Sequence, residues 1–291
     1  MHRNAERDQI RHPGERLILL LSALANLAIV AAVVAALLLA PDWLKAHPRV
    51  QAVAQRVRGA VVLAVVVLPA LSFLRRGRLA LVRENSVRLG RDQVPEIFSI
   101  LEGQCRALGS TRVPELYVST GATSELSNAM SFHGEMQAIV LGADLFAGLG
   151  RIEDRTDAIA FVLGHELGRI RLGHASWWQE LFLGYLKRIP VLRLPLLRVQ
   201  TFSRDRCGAL LAPEGIRGLV LQAVGGDLLD DTNVAAYVHQ AMEGPSRWSR
   251  LGSLGRAGPH VSSRVRALYH AGFFQLEPDL ARLEHRAPIA H

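Results

Sequence analysis

The stretch from Leu17 to Ala40 runs for 24 residues without a charged side chain, and Ser22 and Asn26 are its only polar interruptions. As a helix it would be about 36 Å long, enough to cross a hydrocarbon core of about 30 Å with some tilt. The apolar part of a cleaved secretory signal is much shorter, roughly 7 to 15 residues, so the length argues for a membrane span. A second apolar run, Gly59 to Leu74, has Ser72 as its one polar side chain and stops at Arg75-Arg76-Gly77-Arg78. Together the two runs predict a transmembrane helical hairpin over 17–78, with spans at about 17–40 and 59–74. A polar tail, 1–16, precedes it, and a globular domain, 79–291, follows.

Basic residues decide the expected orientation. Arg3, Arg7, Arg11 and Arg16 precede the first run, Lys45, Arg49, Arg56 and Arg58 lie between the two, and Arg75, Arg76, Arg78, Arg83, Arg88 and Arg91 follow the second. The larger total falls on the side that holds both the N-terminus and the globular part, which predicts a cytoplasmic domain. The net charge of +8 is spread along the chain. It forms no basic stripe interleaved with aromatics, so nucleic acid is not an expected partner, whereas anionic membrane lipid is. Two cysteines, Cys105 and Cys207, are too few for a disulfide framework.

Beyond Leu79 the pattern is that of an α+β, mostly helical domain with a small antiparallel sheet. Pro95 to Leu108 predicts an amphipathic helix, with Asp92 as its possible cap and Gly109 as its stop. Leu116-Tyr117-Val118 predicts a short strand. Asn128 to Phe132 and Met136 to Leu141 predict a hairpin turning at Gly134. A helical start follows at Gly142 to Gly148. Trp177 to Val199 is apolar but broken by Lys187, Pro190, Arg193, Pro195 and Arg198, and reads either as an amphipathic lip against a bilayer or as an ordinary cover of the core. Further helices are expected at Pro213 to Gly225 and Asn233 to Met242.

The chemistry concentrates in the segment Phe161 to His174, on a helix expected from Asp154 to Gly173. His165 and Glu166 are the opening of a His-Glu-x-x-His zinc helix, in which two histidines four residues apart stand about 40° apart on one face and share a metal. The adjacent glutamate is the general base of such a site. The second histidine position is Arg169, whose guanidinium has no lone pair for a metal. His174 lies nine residues after His165, on the opposite helical face, and reaches the same point only if the helix breaks at Gly173. The broad apolar face of Ile159, Val162, Leu163, Leu167 and Ile170 predicts burial, so the His165-Glu166 pair needs partners.

The order of these elements, completed by a Ser203-Arg204 segment and by Pro259-His260 followed by Arg264-Val265-Arg266-Ala267-Leu268, resembles the membrane-bound zinc endopeptidases that include HtpX and the CAAX prenyl protease. The resemblance covers roughly Leu17 to Leu268. It implies a gluzincin-like metallopeptidase domain, a zinc cofactor, peptide-bond hydrolysis, a peptide or membrane-protein substrate or client, and an integral location in a bacterial inner membrane. It implies that His165 is the first zinc ligand, that Glu166 is the catalytic base, and that Asn128 and Ala129 lie on the strand that pairs with substrate. It puts Arg169 at the second ligand position. The third ligand, a downstream glutamate, is missing, because Ser203-Arg204 runs straight into Asp205, which matches the family's supporting aspartate.

Three readings follow. Asp205, Cys207 or His174 supplies substitute zinc ligands and the chain is a peptidase of reduced or altered metal dependence. Alternatively Arg169 pairs with Glu166 in place of the metal, and the chain is a silent pseudopeptidase acting as a peptide-binding or adaptor module at the membrane. In the third, the His165-Glu166 pair is purely structural.

Overall fold

The structure, a computed structural model, describes residues 10–38, 56, 59, 83–120, 127–132, 136–146, 155–174, 176, 179, 183, 190–253 and 258–274. Helix α1, Glu15–Leu38, contains most of the first apolar run. No helix among the described residues is long and apolar enough to cross a membrane. That finding overturns the expected transmembrane hairpin, and with it the integral inner-membrane location and its orientation. The packing of α1 supplies a physical reason. Glu15 in its first turn is fully buried, and Ser22 and Asn26 are buried as well, so a polar stripe of this helix faces protein. The second expected span, 59–74, lies outside the described residues apart from Gly59.

The expected exposed tail is also different where it is described. Ile10 is buried, the His12 backbone N–H donates to Ser203 Oγ at 2.8 Å, and Arg206 Nη1 donates to the Arg11 carbonyl at 3.3 Å. Residues 10–16 are therefore docked onto the globular part.

A four-stranded sheet carries the domain: β1 (Val87–Leu89), β2 (Glu115–Ser119), β3 (Ser127–Phe132) and β4 (Met136–Gly142), in the spatial order β1-β2-β4-β3. The expected hairpin is present, with Asn128 opposite Val140 and Ala129 opposite Ile139. The sheet is mixed, however, and not antiparallel throughout. β4 inserts between β3 and β2 and runs parallel to β2, with Tyr117 opposite Val140, because the chain between them crosses over to the outer strand β3 first. This central position explains the unbroken apolar run in β4. Ala138, Ile139, Val140 and Leu141 are all fully buried, as expected of a strand covered on both faces.

Helix α2, Pro95–Ala107, buries Ile97, Leu101 and Cys105. Its N-cap residue is Val94, in a left-handed conformation without a side-chain cap, and not Asp92. The motif helix is α3, Thr156–Arg171, buried almost all round from Ala158 to Gly168. It packs against the longest helix of the domain, α4, Pro190–Leu211. The first half of α4 is the C-terminal part of the expected lip. Leu196 and Val199 are buried there, so this half covers the core, and most of 177–189 lies outside the described residues.

The remaining helices are α5 (Arg217–Val224), α6 (Gly226–Leu229), α7 (Val234–Met242), α8 (Arg247–Ser253) and α9 (Val261–His270). Asn233 caps α7 by accepting from the Ala236 N–H at 2.9 Å.

The α3–α4 contact is close because small residues face each other. A Cβ on Gly208 would stand 2.9 Å from the Phe161 carbonyl oxygen, and one on Gly168 would stand 2.7 Å from Cys207 Cβ. No side chain larger than hydrogen fits there without a shift of backbone. The approach brings His165 and Glu166 of α3 against Arg204 and Asp205 of α4.

Candidate functional site

Helix α3 delivers His165 and Glu166 into the core, where they are 5% and 2% exposed. Asp205, a residue of α4, meets His165. The imidazole Nδ1–H donates to Asp205 Oδ1 at 2.8 Å. An ionised carboxylate accepts only, which fixes the proton on Nδ1 and leaves the lone pair on Nε2. That Nε2 stands 4.0 Å from Glu166 Oε1.

A third helix completes the group. Arg264, from α9, grips Asp205 with two guanidinium donors, Nε to Oδ2 at 2.8 Å and Nη2 to Oδ1 at 2.5 Å. Its Nη1 donates to Gln222 Oε1 at 2.6 Å. Bidentate pairs of this kind are among the strongest charge-assisted contacts in proteins. Burial works to raise the Asp205 pKa, but the Arg264 guanidinium and the His165 N–H outweigh it and hold the carboxyl well below the usual range. His165 is shifted down, chiefly by burial and then by the nearby Arg204 cation, so it is the neutral imidazole that faces Glu166.

Arg204, read from the sequence only as part of the Ser203-Arg204 segment, gains a role here as a buried cation. Its Nη2 donates to Thr201 Oγ1 at 2.9 Å. Burial pulls its pKa down to about 10; Glu166 works against that shift, and Arg169 works with it. Two acids, Glu166 and Asp205, thus share the centre with three guanidinium groups, those of Arg169, Arg204 and Arg264. The signal for Arg264 was legible in outline, since an aspartate in mid-helix needs a cation once it is buried. Nothing local pointed to which arginine.

The other expected ligands go elsewhere. Cys207 is fully buried against Gly168. Helix α3 does break at Gly173, which has φ 74°. The Gly173 N–H bonds the Ile170 carbonyl and the His174 N–H bonds the Arg169 carbonyl, a Schellman ending. The break does not return His174 to His165. It turns His174 toward Glu15, with Nε2 donating to Oε1 at 3.0 Å. Asn128 and Ala129 lie on β3, one of the two outer strands of the sheet among the described residues and a neighbour of α3.

These residues do not fit a catalytic zinc. Such a site uses three protein ligands around an open position. Here His165 Nε2 is the one imidazole lone pair at the centre, Asp205 is engaged by Arg264 and His165, and the neighbouring side chains add positive charge where a dication would sit. No group of three or more His, Cys, Asp or Glu side chains able to hold a metal occurs among the described residues.

No family model matches the chain, and no curated protein or solved structure does either.

Proposed function

We propose that this chain is a catalytically silent relative of the zinc endopeptidases it resembles, one that binds extended peptide segments without cleaving them. The observation that carries the reading is the set of arginines around the motif pair. His165 is oriented by a carboxylate on Nδ1, as metal-binding histidines are, yet Arg169 takes the place of the second ligand and Arg204 and Arg264 crowd the two acids with cations. A centre held by ion pairs retains the architecture of the peptidase and loses its means of activating water. The edge strand β3 beside α3 keeps the other half of that architecture, a row of main-chain groups against which a peptide can add as a further strand.

Fluorescence anisotropy with a labelled, unstructured peptide tests this. Saturable binding is expected, with no cleavage on prolonged incubation with or without added zinc. Backbone N-methylation of alternate peptide residues should abolish the binding, because it removes the donors that a strand-to-strand pairing uses. Cleavage that is lost on chelation and in Glu166→Gln would establish a working peptidase instead. Absence of binding would leave His165 and Glu166 as structural residues.

A further inference from the structure

Asp205 has a second environment besides His165. It also lines a cleft of about 210 Å³ together with His12, Phe202, Arg206, Leu268 and His270. The walls come from three separate parts of the chain: the docked N-terminal segment, α4 and α9. Charge is unevenly distributed in it. Both Asp205 oxygens are already engaged, by His165 and by Arg264, while His12, Arg206 and His270 offer donors.

The donors are held in place. His12 is fixed by its backbone N–H on Ser203 Oγ at 2.8 Å. Its ring Nδ1 accepts from the Gly14 N–H at 3.2 Å, so the neutral ring carries its proton on Nε2. The ring also lies 5.7 Å from that of Phe202, tilted by 32°. Arg206 is anchored through the Arg11 carbonyl. Burial, and then Arg206 itself, lower the His12 pKa, and burial lowers that of Arg206. Glu15 acts the other way on His12, but its two oxygens are engaged by His174 and Ser203.

We propose that this cleft binds a small carboxylic acid, with its carboxylate between His12 and Arg206 and a short aliphatic tail against Leu268 and its neighbours Ala267 and Ala271. The volume sets the size, since drug-sized ligands occupy pockets of roughly 300–1,000 Å³ and this cleft is smaller. The site is distinct from the β3 edge and does not depend on the peptide-binding reading.

Calorimetric titration of the full chain with butyrate, butyramide and inorganic phosphate is the test. Saturable butyrate binding is expected, at least tenfold tighter than that of butyramide, which has the same shape without the charge. Arg206→Gln should weaken butyrate at least tenfold, and His12→Gln serves the same purpose if the first variant does not fold. Equal binding of butyrate and butyramide, no saturable binding of butyrate, or unchanged affinity in the variants would overturn the proposal. Phosphate binding more tightly than butyrate would overturn it too, because the apolar wall would then contribute nothing.

Discussion

Helix α3 and the turn that ends it carry two buried histidine–carboxylate pairs nine residues apart, and they are built to opposite purposes. His165 meets Asp205 from the neighbouring helix α4, and Asp205 is neutralised by the two-pronged grip of Arg264. His174 meets Glu15 from the distant N-terminal helix. There Ser203 donates its hydroxyl to the other carboxylate oxygen, and Arg11 lies 3.4 Å away. Burial tends to raise the Glu15 pKa, and the His174 hydrogen bond, followed by Ser203 and Arg11, brings it below its usual value. At His165 the remaining lone pair looks toward a second acid, Glu166. At His174 the remaining nitrogen, Nδ1, is buried with no hydrogen-bond partner among the described residues. The first pair has the makings of a chemical centre, and the second is a clasp that fixes α1 to the domain.

If that division is right, the two clusters fail differently. The largest effect belongs to Arg264→Ala, which leaves the Asp205 charge buried without its cation. A loss of about 3–5 kcal/mol in denaturant unfolding is expected, spread through the contacts of α3, α4 and α9. Glu15→Ala should cost about 1–3 kcal/mol by stranding His174, whereas Ser203 keeps the Val199 carbonyl as a partner. Its effect should be local: hydrogen exchange speeds up in α1 while the amides of α3 keep their protection. Equal loss of protection in both helices would erase the distinction between centre and clasp.

Gly168→Ala lies between the two histidines on the α3 face that touches Cys207. Its new methyl group, 2.7 Å from Cys207 Cβ, should cost about 1–3 kcal/mol and loosen both clusters together. A crystal or NMR structure of this variant with α3 and α4 unmoved would contradict the close-approach account.

The smallest effect is a slope with pH. Both histidines have folded pKa values below the ordinary one; burial leads in each case, with the Arg204 cation adding to it and the partner carboxylate opposing it. Below about pH 6.5 the unfolded chain takes up protons that the folded chain resists, so stability falls toward acid. The limit is about 1.4 kcal/mol per pH unit for each histidine. His174→Gln should remove one share of that slope and leave the share of His165. The depressed Glu15 and Asp205 carboxyls act in the same direction at lower pH, with stability present above about pH 4 and lost as the pH drops toward their folded values.

How much of this was legible in the sequence depended on distance along the chain. Helix α3 and the helix expected from Asn233 to Met242 follow from the pattern of a few neighbouring residues, whereas the cap role of Asn233 appears only in the structure. The β3–β4 hairpin follows from two apolar runs and a glycine turn. The clasp was hidden because Glu15 finds partners 159 and 188 residues away, and its charge made the segment before the apolar run look like a solvated tail. The same blindness to long range produced the membrane reading, since the apolar run does not say which of its faces meets protein. Parallel pairing of β2 with β4 is likewise set by how the chain crosses the sheet. At the centre, the motif named His165 and Glu166, whereas Arg204 and Arg264 came from helices that only the fold brings near.

The central claim is that ion pairs hold the centre where a catalytic metal would otherwise be. Zinc content per chain, measured on protein purified without added metal and again after incubation with excess zinc and desalting, tests it most directly. Essentially no zinc in a folded protein is the expected result in both samples. About one zinc per chain, lost on His165→Ala, would contradict it.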